Sequence, residues 1–274
     1  LHAGWGWHHQ TPDWYILLLD SANNNLRSRR SDHYVLGVER QFGSDLKLSV
    51  EAFTKTNNFM SFPEHWMTPD SFDYSNVYID SGTGSARGIE LFLQKKHAHN
   101  WNGTVAYSLS RSTHNNPRDP DAVLPTEYDY GHVLTLSGMY RFEFYKQQWY
   151  RDLPTWFRAT IGGIVFGDES DLGVRFRYMG GRPYTPMTWD PETRRWVENT
   201  ELHNSERYPP YSRLDVHWAH KFVFRRWSLS WYIEVQNVLN RKNVWFYNYQ
   251  AGKPEPETVH QLALWPIGGL VIEF

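Results

Sequence analysis

Cysteine is absent from the chain, which excludes disulfides and every zinc or iron–sulfur centre built on thiolates. Long apolar runs are missing too. The longest, Ile161-Gly-Gly-Ile-Val-Phe-Gly167, falls far short of the roughly 18 to 20 residues that a membrane helix needs. Mean hydropathy is −0.65, and a helical membrane protein is excluded. An excess of one charge is also lacking: 28 Lys and Arg stand against 30 Asp and Glu, for a net −2. No global field draws nucleic acid or an acidic membrane surface, and no nucleic-acid partner is expected. The opening, Leu1-His-Ala-Gly-Trp5, lacks the basic-then-apolar pattern of a secretion signal, as a mature or truncated chain would.

What the chain has is aromatic rings: 14 Trp, 17 Tyr and 15 Phe in 274 residues. That density is unusual at so polar a mean hydropathy. A transmembrane β-barrel reconciles the two, because its lumen is polar, its outside is apolar, and its interfacial girdles collect Trp and Tyr. A soluble β-sandwich or an aromatic-rich carbohydrate-binding module fits the composition as well.

The dominant period is two. In Tyr34-Val-Leu-Gly-Val-Glu-Arg-Gln-Phe42, one face carries Tyr34, Leu36, Val38 and Phe42, broken only by Arg40; the other carries Val35, Gly37, Glu39 and Gln41. Leu46, Leu48, Val50 and Ala52 likewise oppose Lys47, Ser49, Glu51 and Lys55, and Gly43-Ser44 between the two runs predicts a hairpin. The alternation returns in 89–94, 101–110, 132–144, 172–178, 214–218, 229–236 and 269–274, and the opening 1–7 makes about ten strands. Extended slightly, each reaches roughly nine to eleven residues, enough to cross a bilayer at a tilt. Helical spacing fits none of these windows.

Connections alternate in length. Short ones fall near 43–44, 98–100 and 224–226; long polar ones fall near 8–32, 59–84, 113–130, 181–210 and 240–261. Tight periplasmic turns and long extracellular loops produce this pattern in outer-membrane barrels. The segment 145–170 breaks it, and Leu153-Pro-Thr-Trp-Phe-Arg-Ala-Thr-Ile161 predicts a short helix with Pro154 in its first turn. Alternation alone does not say which face is outside. Strand length, loop asymmetry, Arg175, Arg177 and Glu234 opposite the apolar face, and flanking Trp101, Tyr107, Tyr140, Phe142 and Tyr178 all favour lipid outside.

Several segments carry a family resemblance: Gly4-Trp-Gly-Trp7, Gln10-Thr-Pro12, Asn25-Leu26, Arg30 to Glu39, Ala86-Arg-Gly-Ile-Glu-Leu91, Gly181-Arg-Pro-Tyr-Thr-Pro186, Tyr211-Ser-Arg-Leu-Asp215 and Glu234 to Asn243. In this order and spacing, over nearly the whole chain, they resemble TonB-dependent receptors. The C-terminal Leu270, Ile272 and Phe274 resemble the signal read by the barrel-assembly machinery. The resemblance implies an all-β, transmembrane antiparallel β-barrel of 22 strands, filled by an N-terminal plug and driven through TonB, ExbB and ExbD. About ten strands are present and no plug or TonB box is visible, so residues 1–274 are expected to be the C-terminal part of the barrel domain, embedded in outer-membrane lipid and lipopolysaccharide. The expected activity is import of a scarce nutrient of siderophore, haem, vitamin or glycan class. The rivals are a small self-contained outer-membrane protease or phospholipase, and a soluble carbohydrate-binding protein.

Candidate sites follow from chemistry. Arg175 and Arg177, with Arg213 and Lys221, form a basic luminal stretch that suits an anionic chelate, although pairing with Glu39, Glu51, Glu90 and Glu234, or with plug carboxylates in a full receptor, is expected to use them up. Arg182 and the loop aromatics Trp66, Tyr184, Trp189 and Trp196 suit stacking on a planar or sugar ligand, or packing on one another. Asp215 and His217 share a face as an acid–base pair would, but no nucleophile sits at a matching position, so no catalytic residue is expected. His8 and His9 point to opposite faces, His97 and His99 are scattered, and Asp119 and Asp121 lack the spacing of a calcium loop. No metal or cofactor is assigned.

Overall fold

The computed structural model describes residues 1–64, 76–115, 122–158, 167–198 and 202–274. Ten long strands carry the fold: β1 His2–Gln10, β2 Arg29–Phe42, β3 Leu46–Pro63, β4 Tyr78–Ala98, β5 Trp101–Asn115, β6 His132–Glu143, β7 Glu169–Met179, β8 Tyr211–Val223, β9 Ser228–Gln236 and β10 Trp265–Glu273. Each pairs antiparallel with its neighbours in sequence, so spatial order equals chain order. The sheet is open, with β1 and β10 at its edges. A short strand, Val123–Pro125, adds to the far end of β5.

All ten alternating runs are strands, but several exceed the expected length. β3 has 18 residues and β4 has 21. Beyond Ala52 and Ile89 the outer positions become Thr54, Thr56, Arg87 and Ser85, so the apolar signal stops while the backbone ladder continues through Lys55↔Ala86 and Asn57↔Gly84. The strands therefore run on to Pro63 and from Tyr78, inside the loop expected over 59–84.

The tight turns all lie at one end of the sheet. Gly43 has φ 61°, and His99 and Asn100 have φ 53° and 67°. Two consecutive left-handed residues give the turn twist that a two-residue hairpin favours. At the third turn Phe224 and Trp227 stack at 4.0 Å. Residues 144–158 share this end and are helical in pieces: Phe144–Lys146, Gln148–Arg151 and Thr155–Arg158. Tyr150 is buried there, its ring 6.1 Å from Phe144. The expected helix begins directly after Pro154, at Thr155; its continuation to Ile161 lies outside the described residues.

Only Ile16, Phe62 and Tyr150 are buried hydrophobic residues among those described. The apolar rows of the strands are open instead: Leu36 is 56%, Ile89 54% and Ile233 46% exposed. Registers join these rows across the sheet, as in Leu48↔Leu93↔Val105↔Leu136↔Phe176. A soluble sandwich must cover such a face with a second layer. No second layer is present among the described residues. A continuous apolar face this broad needs a nonaqueous neighbour.

Candidate functional site at the loop end

Buried polar side chains anchor the long connections to the strand ends. In 11–28 a helix, Trp14–Leu19, leads into a 3-10 turn, Ser21–Asn25. Asn23 is fully buried: its Nδ2 donates to the Ile16 and Asn76 carbonyls at 2.7 and 2.9 Å, and its Oδ1 accepts from Tyr78 N at 2.8 Å. Arg27 grips both carboxylate oxygens of Asp80 at 2.9 Å and lies 4.0 Å over the Phe59 ring. Its hydrogen bonds hold the Asp80 carboxyl down to about 2.

Asp129 joins two further loops. Its Oδ1 accepts from Ser112 N at 2.8 Å and its Oδ2 from Arg207 Nη2 at 2.5 Å. Arg207 Nη1 donates in addition to the Asp129 carbonyl and, at 3.0 Å, to the Gly181 carbonyl. Asn204 reaches across to the Pro125 carbonyl at 2.9 Å. His203 sits beside these, its Nδ1 3.2 Å from Thr185 Oγ1 and its ring 5.4 Å from that of His114. Burial pushes His203 down to about 4, reinforced by His114, whose own value burial also lowers.

The expected loop aromatics gather where 180–210 meets 237–264. Tyr184 lies 4.4 Å from Tyr208 and 5.4 Å from Tyr247, and Arg182 stands 5.2 Å over Tyr208. Alongside, the hairpin of Met187–Asp190 and Arg195–Glu198 places Trp189 5.4 Å from Trp196, which meets Tyr249 at 4.9 Å. Trp196 Nε1 donates to the Lys253 carbonyl at 3.0 Å, docking this hairpin on that of Val244–Asn248 and Glu257–His260. Burial raises the Tyr184 hydroxyl to about 12. The rings pack on one another, and all stay half-buried. Tyr208, Tyr247 and Tyr249 were not picked out from sequence. The alternation Trp245-Phe-Tyr-Asn-Tyr249 was the available signal. Trp66, Asp119 and Asp121 lie outside the described residues.

The other two candidates stand apart. Arg175 and Arg177 are exposed on the inner face of β7. Among the described residues they form no ion pair with the glutamates expected from this chain. Glu39 binds Lys47 at 2.7 Å, Glu51 meets His2 at 3.2 Å, and Glu234 faces His217 at 3.9 Å. Asp215, directly across from Arg175, turns instead to Arg213 at 2.8 Å and to Asn237 N at 2.9 Å. With His217 stacked 5.7 Å from Tyr232, Asp215 and His217 are each engaged elsewhere and form no acid–base pair. Asn102, Ser137, Arg175, Asp215, His217 and Glu234 line a cavity of about 360 Å³ on this face.

The motif after Glu234 is an anchor. Asn237, at φ 52°, donates to the Arg241 and Leu262 carbonyls at 3.0 and 3.2 Å, closing the base of the last loop. Arg241 in turn reaches Ser212 Oγ at 2.7 Å and the Pro210 carbonyl at 3.0 Å.

No family model matches the sequence, and no curated protein matches it significantly. Solved structures do. The ferripyoverdine receptor FpvA of Pseudomonas aeruginosa, bound to a heterologous pyoverdine, superposes with TM-score 0.64 at 13% identity over 99% of this chain and 30% of its own. The ferric-catecholate import receptor Fiu of E. coli K12 gives 0.61 at 15% identity, over 98% and 32%. The copper transporter OprC gives 0.58 at 14% identity, over 99% and 36%. This chain spans about a third of the length of those proteins. At such identities the likeness establishes the fold.

Proposed function

Starting from a wall with the fold of TonB-dependent outer-membrane receptor barrels, we propose that this chain is the C-terminal portion of such a barrel and serves nutrient import across the outer membrane. In this reading residues 1–274 close with further strands into a 22-stranded barrel around an N-terminal plug. The observation that carries it is the pairing of an open apolar strand face with long loops that are clamped to one another at the end away from the tight turns. A wall built for lipid, with its ordered polar and aromatic loops on one side, suits capture of a ligand from that side.

The capturing groups are Arg182, Tyr184, Trp189 and Trp196 in the loop cluster, joined by Tyr208, Tyr247 and Tyr249, with Trp66 of the connection after β3 as a further aromatic. Arg175 and Arg177 take the inner wall, facing the plug or an anionic ligand in transit. FpvA binds ferric pyoverdine, Fiu imports ferric catecholates and OprC transports copper, and the ligand of this chain is of siderophore or related chelate class. TonB, ExbB and ExbD would act through the plug, and the barrel-assembly machinery would read Leu270, Ile272 and Phe274 on the outward face and end of β10. The role is transport, with no catalytic step.

Deleting the gene and measuring growth on limiting iron or copper tests this reading. Expected is a growth defect, matched by loss of TonB and rescued by the intact gene. Unchanged growth and unchanged uptake of labelled chelates and copper would overturn it.

A further inference from the structure

The outward face of β4 and β5 is layered. Its apolar row Ala52↔Ile89↔Leu109 is followed by Thr54↔Arg87↔Arg111 and then by Thr56↔Ser85↔Thr113. Arg87 and Arg111 therefore stand directly opposite each other on adjacent strands, and both are exposed. Directly opposed like charges destabilise a strand pair. A carboxylate on a third strand would relieve the conflict, but neither guanidinium has an ion-pair partner among the described residues. The acid on this face of β2, Asp32, is already held by Arg30 at 2.8 Å.

Height adds the second constraint. Trp101 and Arg111 share one face of β5 ten positions apart, which is about 34 Å along the strand and about 26 Å along the membrane normal at a tilt of about 40°. An outer-membrane apolar band is about 25 Å tall. With Trp101 in the lower girdle, the arginines reach the level of the outer-leaflet headgroups. Around them Thr54, Ser85, Thr113 and Val123 line a depression of about 360 Å³, where the Ser85 and Thr113 hydroxyls lie 3.2 Å apart. Two guanidinium forks flanked by hydroxyls offer planar, bidentate donors to a tetrahedral oxyanion.

We propose that Arg87 and Arg111 form a binding site for a phosphate group of an outer-leaflet glycolipid, with Ser85 and Thr113 as hydroxyl donors. The anion resolves the repulsion between the two arginines and fixes this wall against the leaflet. The inference rests on the outward orientation of the apolar face given above. That orientation has its own test, since an outer-membrane barrel needs detergent and shows heat-modifiable gel mobility whether or not it selects phosphate.

The experiment uses the full-length folded protein in detergent, with diphosphorylated lipid A, the same glycolipid after dephosphorylation, and inorganic phosphate as probes, and native mass spectrometry as readout. Expected is preference for the phosphorylated lipid by about tenfold or more, as charge-assisted bonds give. Arg87→Gln with Arg111→Gln should abolish that preference, and Arg87→Lys with Arg111→Lys should keep part of it. Equal binding of both lipids by the wild-type protein overturns the proposal without any variant. So does a preference that survives the double Gln change in protein with a normal folded band. Displacement of lipid A by millimolar inorganic phosphate would mean a free-anion site and also overturns it.

Discussion

The side-chain amide of Asn243 pairs with the backbone of Ser212 in both directions. Ser212 N donates to Asn243 Oδ1 at 3.0 Å, and Asn243 Nδ2 donates to the Ser212 carbonyl at 2.8 Å. This copies the doubly bonded pair of an antiparallel ladder. It occurs where β9 has left β8: their register begins only at Val216↔Val235, so the earlier residues of β8 would show bare backbone on that side. Asn243 covers that edge beside Val238, whose N–H bonds the Leu214 carbonyl at 2.8 Å. Asn243→Ala should therefore destabilise the loop base by about 1–3 kcal/mol, the cost of buried groups left unpaired. Asn243→Asp should cost a similar amount, because it keeps the acceptor and loses the donor. The urea concentration at which the heat-modifiable folded band disappears measures this; an unchanged midpoint for both variants would count against the clamp.

At the Asp129–Arg207 clamp the two halves should not be equivalent. Arg207→Met leaves the 4%-exposed carboxylate of Asp129 without its cation, whereas Asp129→Asn keeps an acceptor for Ser112 N and leaves the Asp129 carbonyl for Arg207. An unpaired buried charge is the costlier state. Limited proteolysis of the folded protein should cut within 180–210 faster in the Arg207 variant than in the Asp129 variant. Equal rates would mean that the ion pair does not hold this loop.

The strand assignments were legible in sequence because the two faces of each strand meet different solvents, and Leu48 beside Lys47 or Phe176 beside Arg175 and Arg177 prints that difference residue by residue. Strand ends were not, since the ladder of β3 and β4 runs on under Thr54, Thr56 and Arg87 where both faces are polar. The loop site was half legible. Arg182, Tyr184, Trp189 and Trp196 were recognisable as aromatic-rich loop residues, but what brings them together is the pairing of separate loops through Arg207, Asn204 and Trp196. Contacts between residues so far apart leave no local period to read. Why Arg175 finds no carboxylate among the described residues was hidden for a similar reason: Asp215 lies across from it but bonds along its own strand to Arg213 and to the turn at Asn237.

His203 makes the loop junction sensitive to acid. An unfolded histidine titrates near 6.5, and burial lowers the folded value to about 4, so between these two values the opened loop binds a proton that the closed loop refuses. Closure should be pH-independent above about 6.5, weaken as pH falls toward about 4, and change no further from this group below that. Amide hydrogen exchange in 180–210, followed from pH 7 to 4 and corrected for intrinsic rates, reads the effect. His203→Asn should flatten the profile, leaving the smaller contribution of His114, whose shift has the same sign.

Gly181 carries the motif Gly181-Arg-Pro-Tyr because of a close approach and not a special dihedral. A Cβ there would collide with the Tyr208 carbonyl, and one on Gly180 with the Tyr130 carbonyl. Both contacts are with backbone, so no side-chain rotation relieves them. Gly181→Ala should pry the two arms of 180–210 apart where Tyr208 packs on Gly181 and lower the folded-band midpoint markedly. Gly4→Ala, where nothing lies within 4 Å, is the matched control and should shift it little. If the two substitutions behaved alike, the close packing at Tyr208 would be wrong.

Arg175 and Arg177 separate a structural from a functional reading of the inner wall. Arg141 on the neighbouring strand binds both oxygens of Asp171 at 2.8 Å and ties β6 to β7, so Arg141→Gln removes a contact the sheet uses. Arg175 and Arg177 are exposed and make no such pair among the described residues, and changing both to Gln should alter folded stability by no more than about 0.5 kcal/mol, as surface substitutions do. If the wall serves import, the same double variant in the full-length protein should nevertheless reduce uptake of an anionic chelate, because the remaining inner surface then lacks its unneutralised cations. Uptake that stays at the wild-type rate across low and high ionic strength would show that these arginines are bystanders. A large loss of stability would show that they hold the wall through contacts of their own.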